Sequence, residues 1–416
     1  MTDPVRAQYE ALPYPPRDPR DEAKRLILGS PSNLPELRHF VFGGRLDLSK
    51  PFRALVAGGG TGDAAIMLGQ LLADEGAAQA EIVYLDQSTA SRAIAEARAA
   101  ARRLTNIRFA TGSLLDLDTL GLGAFDYIDC CGVLHHLEDP AAGLAALARA
   151  LAPRGGMGLM VYGALGRTGV YDAQALLKAL SPADEAAPAR LQMARRLLAQ
   201  LPATNWLKRN PFVADHLAAG DSGLYDLLLH ARDRAYTVEG VADLVAGAGL
   251  RLVGFVPPAR YAPATYLSDA AILKRLEGAT PLARAAFAER LSGNMKTHVF
   301  YAVRADNPAE PPLPDAPEAV PVLFDTDAGV LARGLKPGGM LTISAEGLSL
   351  KLPLPRLAPA IAALIDGTRS LDEIRRIVES KTGTLPWPIF KAEFDRLYGA
   401  LHGAGKLFLR FPAHQR

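Results

Sequence analysis

From residue 51 to about 165, short apolar runs alternate with stretches of helical spacing, a pattern that predicts a parallel sheet with helices on both faces. Strands are predicted at 55–57, 82–86, 107–110, 125–131 and 157–162, with helices after Asp63, over 89–103 and from Pro140 to about 151. Further along, Tyr236-Thr-Val-Glu239 opens a helix, and 249–255 and 297–303 read as a sixth and seventh strand. Between the fifth and sixth lies an insertion at 164–235, where Leu176, Leu177, Leu180, Leu191, Ala194, Leu197 and Leu198 keep helical spacing and predict a cap of helices.

Proline density marks the remaining boundaries. Prolines 13, 15, 16 and 19 forbid a continuous helix, so residues 1–50 are expected to lie as an extended strap or lid over the body at 51–305. Tyr9 and Tyr14 either anchor that strap by burying their rings or, with Arg17, close it over a ligand mouth. Residues 306–321 form a proline-rich linker, expected to be a semi-rigid spacer. The segment 322–416 reads as a small α+β domain of winged-helix outline, in which Ser370 and Glu373 fit a capping box.

With 416 residues, 49% of them hydrophobic, the chain has enough apolar material for a sizeable core. Lys and Arg number 46 against 44 Asp and Glu, which supplies no basic field for nucleic acid or anionic lipid. Residues 307–416 hold thirteen basic and twelve acidic side chains, which favours a protein-interaction or substrate-presenting module over a DNA reader. No apolar run approaches a membrane span, and the start lacks a signal-peptide core. The only cysteines, Cys130 and Cys131, are adjacent and suit a reducing compartment. A cytoplasmic protein is the expectation.

The chemistry centres on 54–63, Ala-Leu-Val-Ala-Gly-Gly-Gly-Thr-Gly-Asp, which reads as strand, tight turn and helix start. Glycines at 58, 59, 60 and 62 admit backbone conformations that a Cβ forbids, and the helix beginning near Asp63 aims free N–H groups at whatever lies over the turn. The sixth position from Gly58 is Asp63, not the glycine of a dinucleotide fingerprint, and no lysine follows as in a phosphate loop. What remains is G-x-G-x-G. A carboxylate at Asp86, on the end of the second strand, suits both hydroxyls of a ribose.

These motifs, with Phe-Asp-Tyr-Ile leading into Gly132-Val-Leu-His135-His136-Leu-Glu-Asp-Pro140 and Pro-Arg-Gly-Gly before the fifth strand, resemble those of class I S-adenosylmethionine-dependent methyltransferases. The resemblance implies an α/β fold with a Rossmann-like seven-stranded sheet whose seventh strand is antiparallel. It implies S-adenosylmethionine as cofactor, held by Gly58, Gly59, Gly60, Gly62, Asp86, Gln87, Ser113, Leu114, Cys131 and Gly132. His135 and Tyr14 are the candidate catalytic side chains, and Tyr9, Tyr14, Arg17 and His136 the candidate acceptor contacts. No metal is expected, because adjacent histidines on a turn diverge. Two positions depart from the pattern: Val56 stands where many members carry an acid, and Ser113 where others place Asp, with Asp116 nearby. The insertion, with Trp206, Lys208, Arg209, Asn210, Phe212, His216 and Tyr225, is expected to set acceptor choice, although core packing explains its aromatics equally well.

The layout of strap, core, insert and extra module resembles bacterial protein-lysine methyltransferases with a regulatory domain. A protein side-chain amine is therefore the leading acceptor. A small-molecule acceptor, and a scaffold that has lost catalysis, stay open.

Overall fold

The computed structural model describes residues 4–182, 184–345 and 348–412. Its amino-terminal segment is more helical than its prolines suggest. Helix α1 spans Pro4–Ala11 and ends before the first of the clustered prolines, and its own Pro4 sits at the one helical position where a missing N–H costs nothing. Residues 12–33 cross the body as a strap interrupted by a 3-10 turn at Pro19–Ala23. Helix α2 (Leu34–Phe40) follows, capped by Asn33, whose side chain accepts from the Glu36 N–H.

The central sheet contains β1 (Phe52–Ala57), β2 (Ala80–Asp86), β3 (Ile107–Thr111), β4 (Phe125–Cys131), β5 (Leu151–Gly163), β6 (Ala235–Tyr236), β7 (Leu250–Val256) and β8 (Thr297–Arg304). Their order is β3-β2-β1-β4-β5-β8-β7, with β6 paired to the end of β5. Strands β1 to β5 pair in parallel, and β8 runs antiparallel to both β5 and β7. The two-residue β6 brings the count to eight, because the chain leaving the insertion pairs briefly with Tyr162 and Gly163 before its next helix.

Helices α3 (Asp63–Asp74), α4 (Thr89–Ala101) and α5 (Pro140–Arg149) connect the parallel strands. Asp139 caps α5 by accepting from the Ala141 and Ala142 N–H groups. Because strand side chains alternate, Leu55 and Ala57 enter one core layer with Val83, Ile128 and Leu144, while Ala54 and Val56 enter the other with Ile82, Tyr84, Leu37 and Leu68.

The insertion folds as α6 (Val170–Leu180), α7 (Ala187–Gln200), α8 (Trp206–Arg209), α9 (Asp215–Ala218) and α10 (Gly220–Leu228) around an apolar core of its own. Helices α11 (Val238–Gly247), α12 (Ala270–Arg275) and α13 (Pro281–Ser292) complete the larger domain.

The proline-rich stretch after β8 is pinned to the body: Arg251 donates to the Asn307 and Ala309 carbonyls, and Asn307 is buried. Beyond it lie β9 (Val320–Leu323), α14 (Ala328–Gly334), the hairpin β10–β11 (Met340–Ala345 and Leu348–Pro353), α15 (Ala358–Ala362), α16 (Leu371–Thr382), α17 (Trp387–Gly403) and β12 (Leu407–Arg410). The Ser370–Glu373 capping box is present. The hairpin precedes the three helices, and β12 pairs back with β9 rather than forming a terminal wing. This unit docks through Phe408 against Phe40 and through His39, whose Nδ1 lies 3.2 Å from the Leu409 carbonyl oxygen. Among the described residues no helix is long and apolar enough to cross a membrane.

Candidate active site

The carboxyl ends of β1, β2 and β4 converge on the glycine turn. Gly58, Gly60 and Gly62 have φ of 72°, 51° and 102°, values that a side chain resists. A Cβ on Gly58 would sit 2.4 Å from the Val133 side chain, and one on Gly59 2.3 Å from the Tyr84 ring. The turn is fastened at its edge: Gly58 and Gly59 N–H donate to the Leu85 carbonyl at 2.8 and 3.1 Å, and Tyr84 Oη donates to the Gly60 carbonyl at 2.6 Å.

Asp86 accepts the Gly60 N–H on Oδ2 at 2.7 Å and the Ser88 N–H on Oδ1 at 2.8 Å. It therefore supplies the polar support of the turn that Val56, buried in the core, does not give. Burial raises its carboxyl pKa against those backbone donors. A carboxylate has about four acceptor positions, and with the Gln87 backbone also drawn on, acceptor capacity remains for a ribose hydroxyl. Gln87 beside it is half-buried.

Ser113 Oγ is committed to capping, accepting from the Leu115 N–H at 3.2 Å, and the Leu114 side chain belongs to the core. What these two residues can offer a base is main chain. Gly132, with φ of 79°, donates its N–H to the Met160 carbonyl at 3.1 Å, and burial raises the Cys131 thiol, which stays protonated.

The strap lies directly over this turn. Thr61 Oγ donates to the Pro15 carbonyl at 2.8 Å, and the Tyr14 carbonyl oxygen is 3.1 Å from where a Gly60 Cβ would stand. Arg17, expected among the acceptor contacts, is instead a brace: its guanidinium grips Asp63 at the start of α3, with Nη2 2.6 Å from Oδ2. Asp63 also pairs at 2.6 Å with the buried Arg98, which reaches Glu22 on the far side of the strap at 2.6 Å. Two guanidiniums thus neutralise one helix-start carboxylate and hold its pKa below the ordinary value against burial.

A second polar cluster lies where β4, β5, α1 and the insertion meet. Asp226, on α10, is buried and accepts two phenols: Tyr9 Oη on Oδ1 at 2.9 Å and Tyr162 Oη on Oδ2 at 3.2 Å. Burial raises its pKa, opposed by the neighbouring His136. The same burial raises both Tyr9 and Tyr162, which remain donors. Arg167 lies over the Tyr162 ring at 3.7 Å and pairs at 2.6 Å with Asp233, whose carboxylate also receives Gln174 and Tyr171.

The histidines complete the walls. His136 Nδ1 is 2.8 Å from the Arg232 carbonyl oxygen, to which it must donate, and its ring stacks on His230 at 3.7 Å. His230 Nδ1 accepts the Arg232 N–H at 3.1 Å, so the neutral ring carries its proton on Nε2, 3.3 Å from Tyr9 Oη. Burial drives His230 down to about 2, which keeps it neutral. Donor atoms of His136, Asp226 and His230 lie within 4.8 Å of one another, the spacing of a metal triad. His136 thus joins Asp226 and His230, residues remote from it in the sequence, in a group whose atoms could hold a metal ion.

His135 is 1% exposed, sits 3.8 Å from Tyr162 between ring centroids, and has no hydrogen-bond partner on either nitrogen among the described residues. Desolvation lowers its pKa well below the usual imidazole value. Tyr14 is half-buried and raised to about 12, first by burial and then by the Asp226 and Asp215 charges.

Tyr9, His135 and His136 thus belong to one cluster, Tyr14 borders it, and Arg17 does not join it. Tyr162, Arg167, Asp226, His230 and Asp233 escape a reading of the sequence. The one local signal is the four-residue spacing of Asp226 and His230 within the insertion. The aromatic and polar mixture flagged earlier in that insertion does other work: Trp206 is exposed, Lys208 donates to the Leu201 carbonyl, Asn210 holds the Gly166 and Thr168 carbonyls, and Tyr225 Oη accepts from Arg190.

Residues 55–157 match the family model described as a methyltransferase domain. An uncharacterized protein from Synechococcus sp. is 34% identical over 273 residues, 63% of this chain and 62% of that protein, so the chain matches less than two thirds of that relative's length. Two solved structures of PKMT2 from Rickettsia typhi cover 92% of this chain and 76% of their own, at 16% identity. Their TM-scores are 0.64 and, for the complex with AdoHcy, 0.63.

Proposed function

From the premise that this chain carries a class I S-adenosylmethionine-dependent methyltransferase domain, we propose that the protein transfers a methyl group to an amine, and that the amine is a protein side chain. The observation that carries the proposal is Asp226, a buried carboxylate held between two phenols where α1, β5 and α10 meet.

The glycine turn suits the cofactor, because positive φ at Gly58, Gly60 and Gly62 folds the backbone tightly at the carboxyl end of β1, beside the Asp86 carboxylate. The turn at 58–62 and the start of α3 would lie against its methionine end, Asp86 would hold its ribose, and the main chain at Ser113 and Leu114 its base. When bound, S-adenosylmethionine supplies a methyl on a sulfonium, already a good electrophile. The protein must chiefly align the acceptor with it.

An amine attacks only as the free base. An ammonium entering beside Asp226 meets the opposite charge that binds it and, because burial has raised that carboxyl, a group better able to take its proton than an ordinary aspartate. Tyr9 and Tyr162 fix the carboxylate through one oxygen each. The rings of Tyr162, His135 and His136 pack together beside this point, an apolar surround that suits a neutral methylamine after proton transfer. Arg167, at 3.7 Å over Tyr162, discourages an acceptor with a second positive charge close to the first.

The test is transfer of radiolabelled methyl from S-adenosylmethionine into a lysate, separated into protein and small molecules. Label on lysine or an amino terminus in the protein fraction is expected. Label confined to small molecules would overturn the protein acceptor, and label on oxygen or carbon the amine.

A further inference from the structure

Tyr9 and Glu10 are neighbours on α1, yet their side chains serve different ends of the site. Tyr9 Oη reaches Asp226 at 2.9 Å. Glu10 lies across the first turn of α4: Oε2 accepts Ser88 Oγ and the Ala90 N–H, both at 2.8 Å, and Oε1 accepts the Thr89 N–H at 3.1 Å and Thr89 Oγ at 2.5 Å. Those donors hold its carboxyl down to about 2, so it is charged at any working pH and sits at a helix end that favours a negative charge. Ser88 ties the arrangement together, since its Oγ also lies 3.1 Å from the Tyr9 carbonyl and its N–H donates to Asp86.

We infer that Glu10 is a positioning residue for the acceptor site: it locks α1 onto the turn that follows Asp86 and thereby sets the Tyr9 hydroxyl on Asp226. The naming of the two ends rests on the proposed methyl transfer; the bridge itself rests on these hydrogen bonds. Asp86 and Glu10 repel each other, and both draw on Ser88. Hydroxyl donors arriving at Asp86 relieve that repulsion and steady the turn that Glu10 caps. Occupancy at the glycine turn therefore favours docking of α1, and docking of α1 favours occupancy to the same degree. The cofactor end and the acceptor end are completed together.

Hydrogen exchange of the amides in residues 4–11, read by mass spectrometry on the full chain with and without S-adenosylhomocysteine, tests this. In the wild type the ligand should slow their exchange, by about tenfold. In Glu10→Ala exchange there should be fast with or without ligand, while the strands of the central sheet exchange as in the wild type and show the chain folded. Glu10→Gln, which keeps one accepting oxygen, should fall between. Wild-type protection of 4–11 in Glu10→Ala would overturn the brace, and protection in the wild type that ignores bound ligand would overturn the coupling. Absence of ligand binding in a parallel calorimetric titration would instead sink the cofactor reading, and the comparison of Glu10→Ala with the wild type would still decide the brace.

Discussion

At the glycine turn the backbone path is set by four glycines within five residues, fastened to the neighbouring strand end and to one carboxylate, Asp86. At the cluster proposed to receive the acceptor the polar contacts are largely between side chains, drawn from α1, β5 and α10, and Tyr9 and Asp226 are 217 residues apart in the chain. The first half is local and fails when a single backbone position is spoiled. The second is assembled from distant segments and fails whenever α1 or the insertion loosens. One half can therefore stay general to a cofactor while the other is free to change with the acceptor.

The largest separation between the halves is expected from Asp226→Asn. Loss of the proton acceptor should lower turnover by about 10² to 10⁴-fold, while affinity for S-adenosylhomocysteine stays within about twofold. Steady-state rates and calorimetry on the same preparation would check it, and a parallel fall in both would erase the distinction.

The strap that both halves share should be sensitive to pH. Ser32 Oγ donates to Asp129 Oδ2 at 2.5 Å, and Ser30 Oγ and Tyr301 Oη donate to Glu36 Oε2 at 2.6 and 2.9 Å. Burial pushes Asp129 up to about 6 and Glu36 up to about 7 against the hydrogen bonds they accept. Both native pKa values are raised, so the stability is fully present below the unfolded values and is lost as pH climbs through 6 to 7. The loss should be roughly 3 kcal/mol for each group. Urea unfolding of the wild type at pH 4.5 and pH 8, beside Glu36→Gln, should show a smaller decline in the variant; equal declines would remove Glu36 from the explanation.

In the local half, Gly58→Ala combines a φ of 72° with a Cβ 2.4 Å from Val133. It should cost about 2 kcal/mol of stability and weaken ligand binding at least tenfold by opening the turn. Asp86→Ala should weaken binding by about 1–3 kcal/mol, seen in calorimetry, through lost hydrogen bonds to ligand and turn. If either variant spared ligand affinity and struck turnover instead, the halves would be interchanged.

The same contrast explains what the sequence discloses. The sheet and its glycine turn are legible because the apolar runs, the positive-φ glycines and Asp86 are set by neighbours within a few residues. Helix α1 is hidden because the prolines at 13, 15, 16 and 19 dominate the reading, although they begin after Ala11 and leave Pro4–Ala11 free to coil. Asp226 and His230 hide in a leucine-rich insertion, where only tertiary packing decides that they meet Tyr9. Arg17 misleads for the opposite reason. A cation beside two tyrosines suggests a ligand, but its partner is Asp63, brought near by the fold.

The most direct test is calorimetric titration of the full chain with S-adenosylhomocysteine, repeated on Gly58→Ala and Asp226→Asn. One site of micromolar affinity, about −8 kcal/mol, is expected in the wild type, weakened in the first variant and kept in the second. No binding to the wild type, or a loss confined to Asp226→Asn, would contradict the placement of the cofactor on the 58–62 turn.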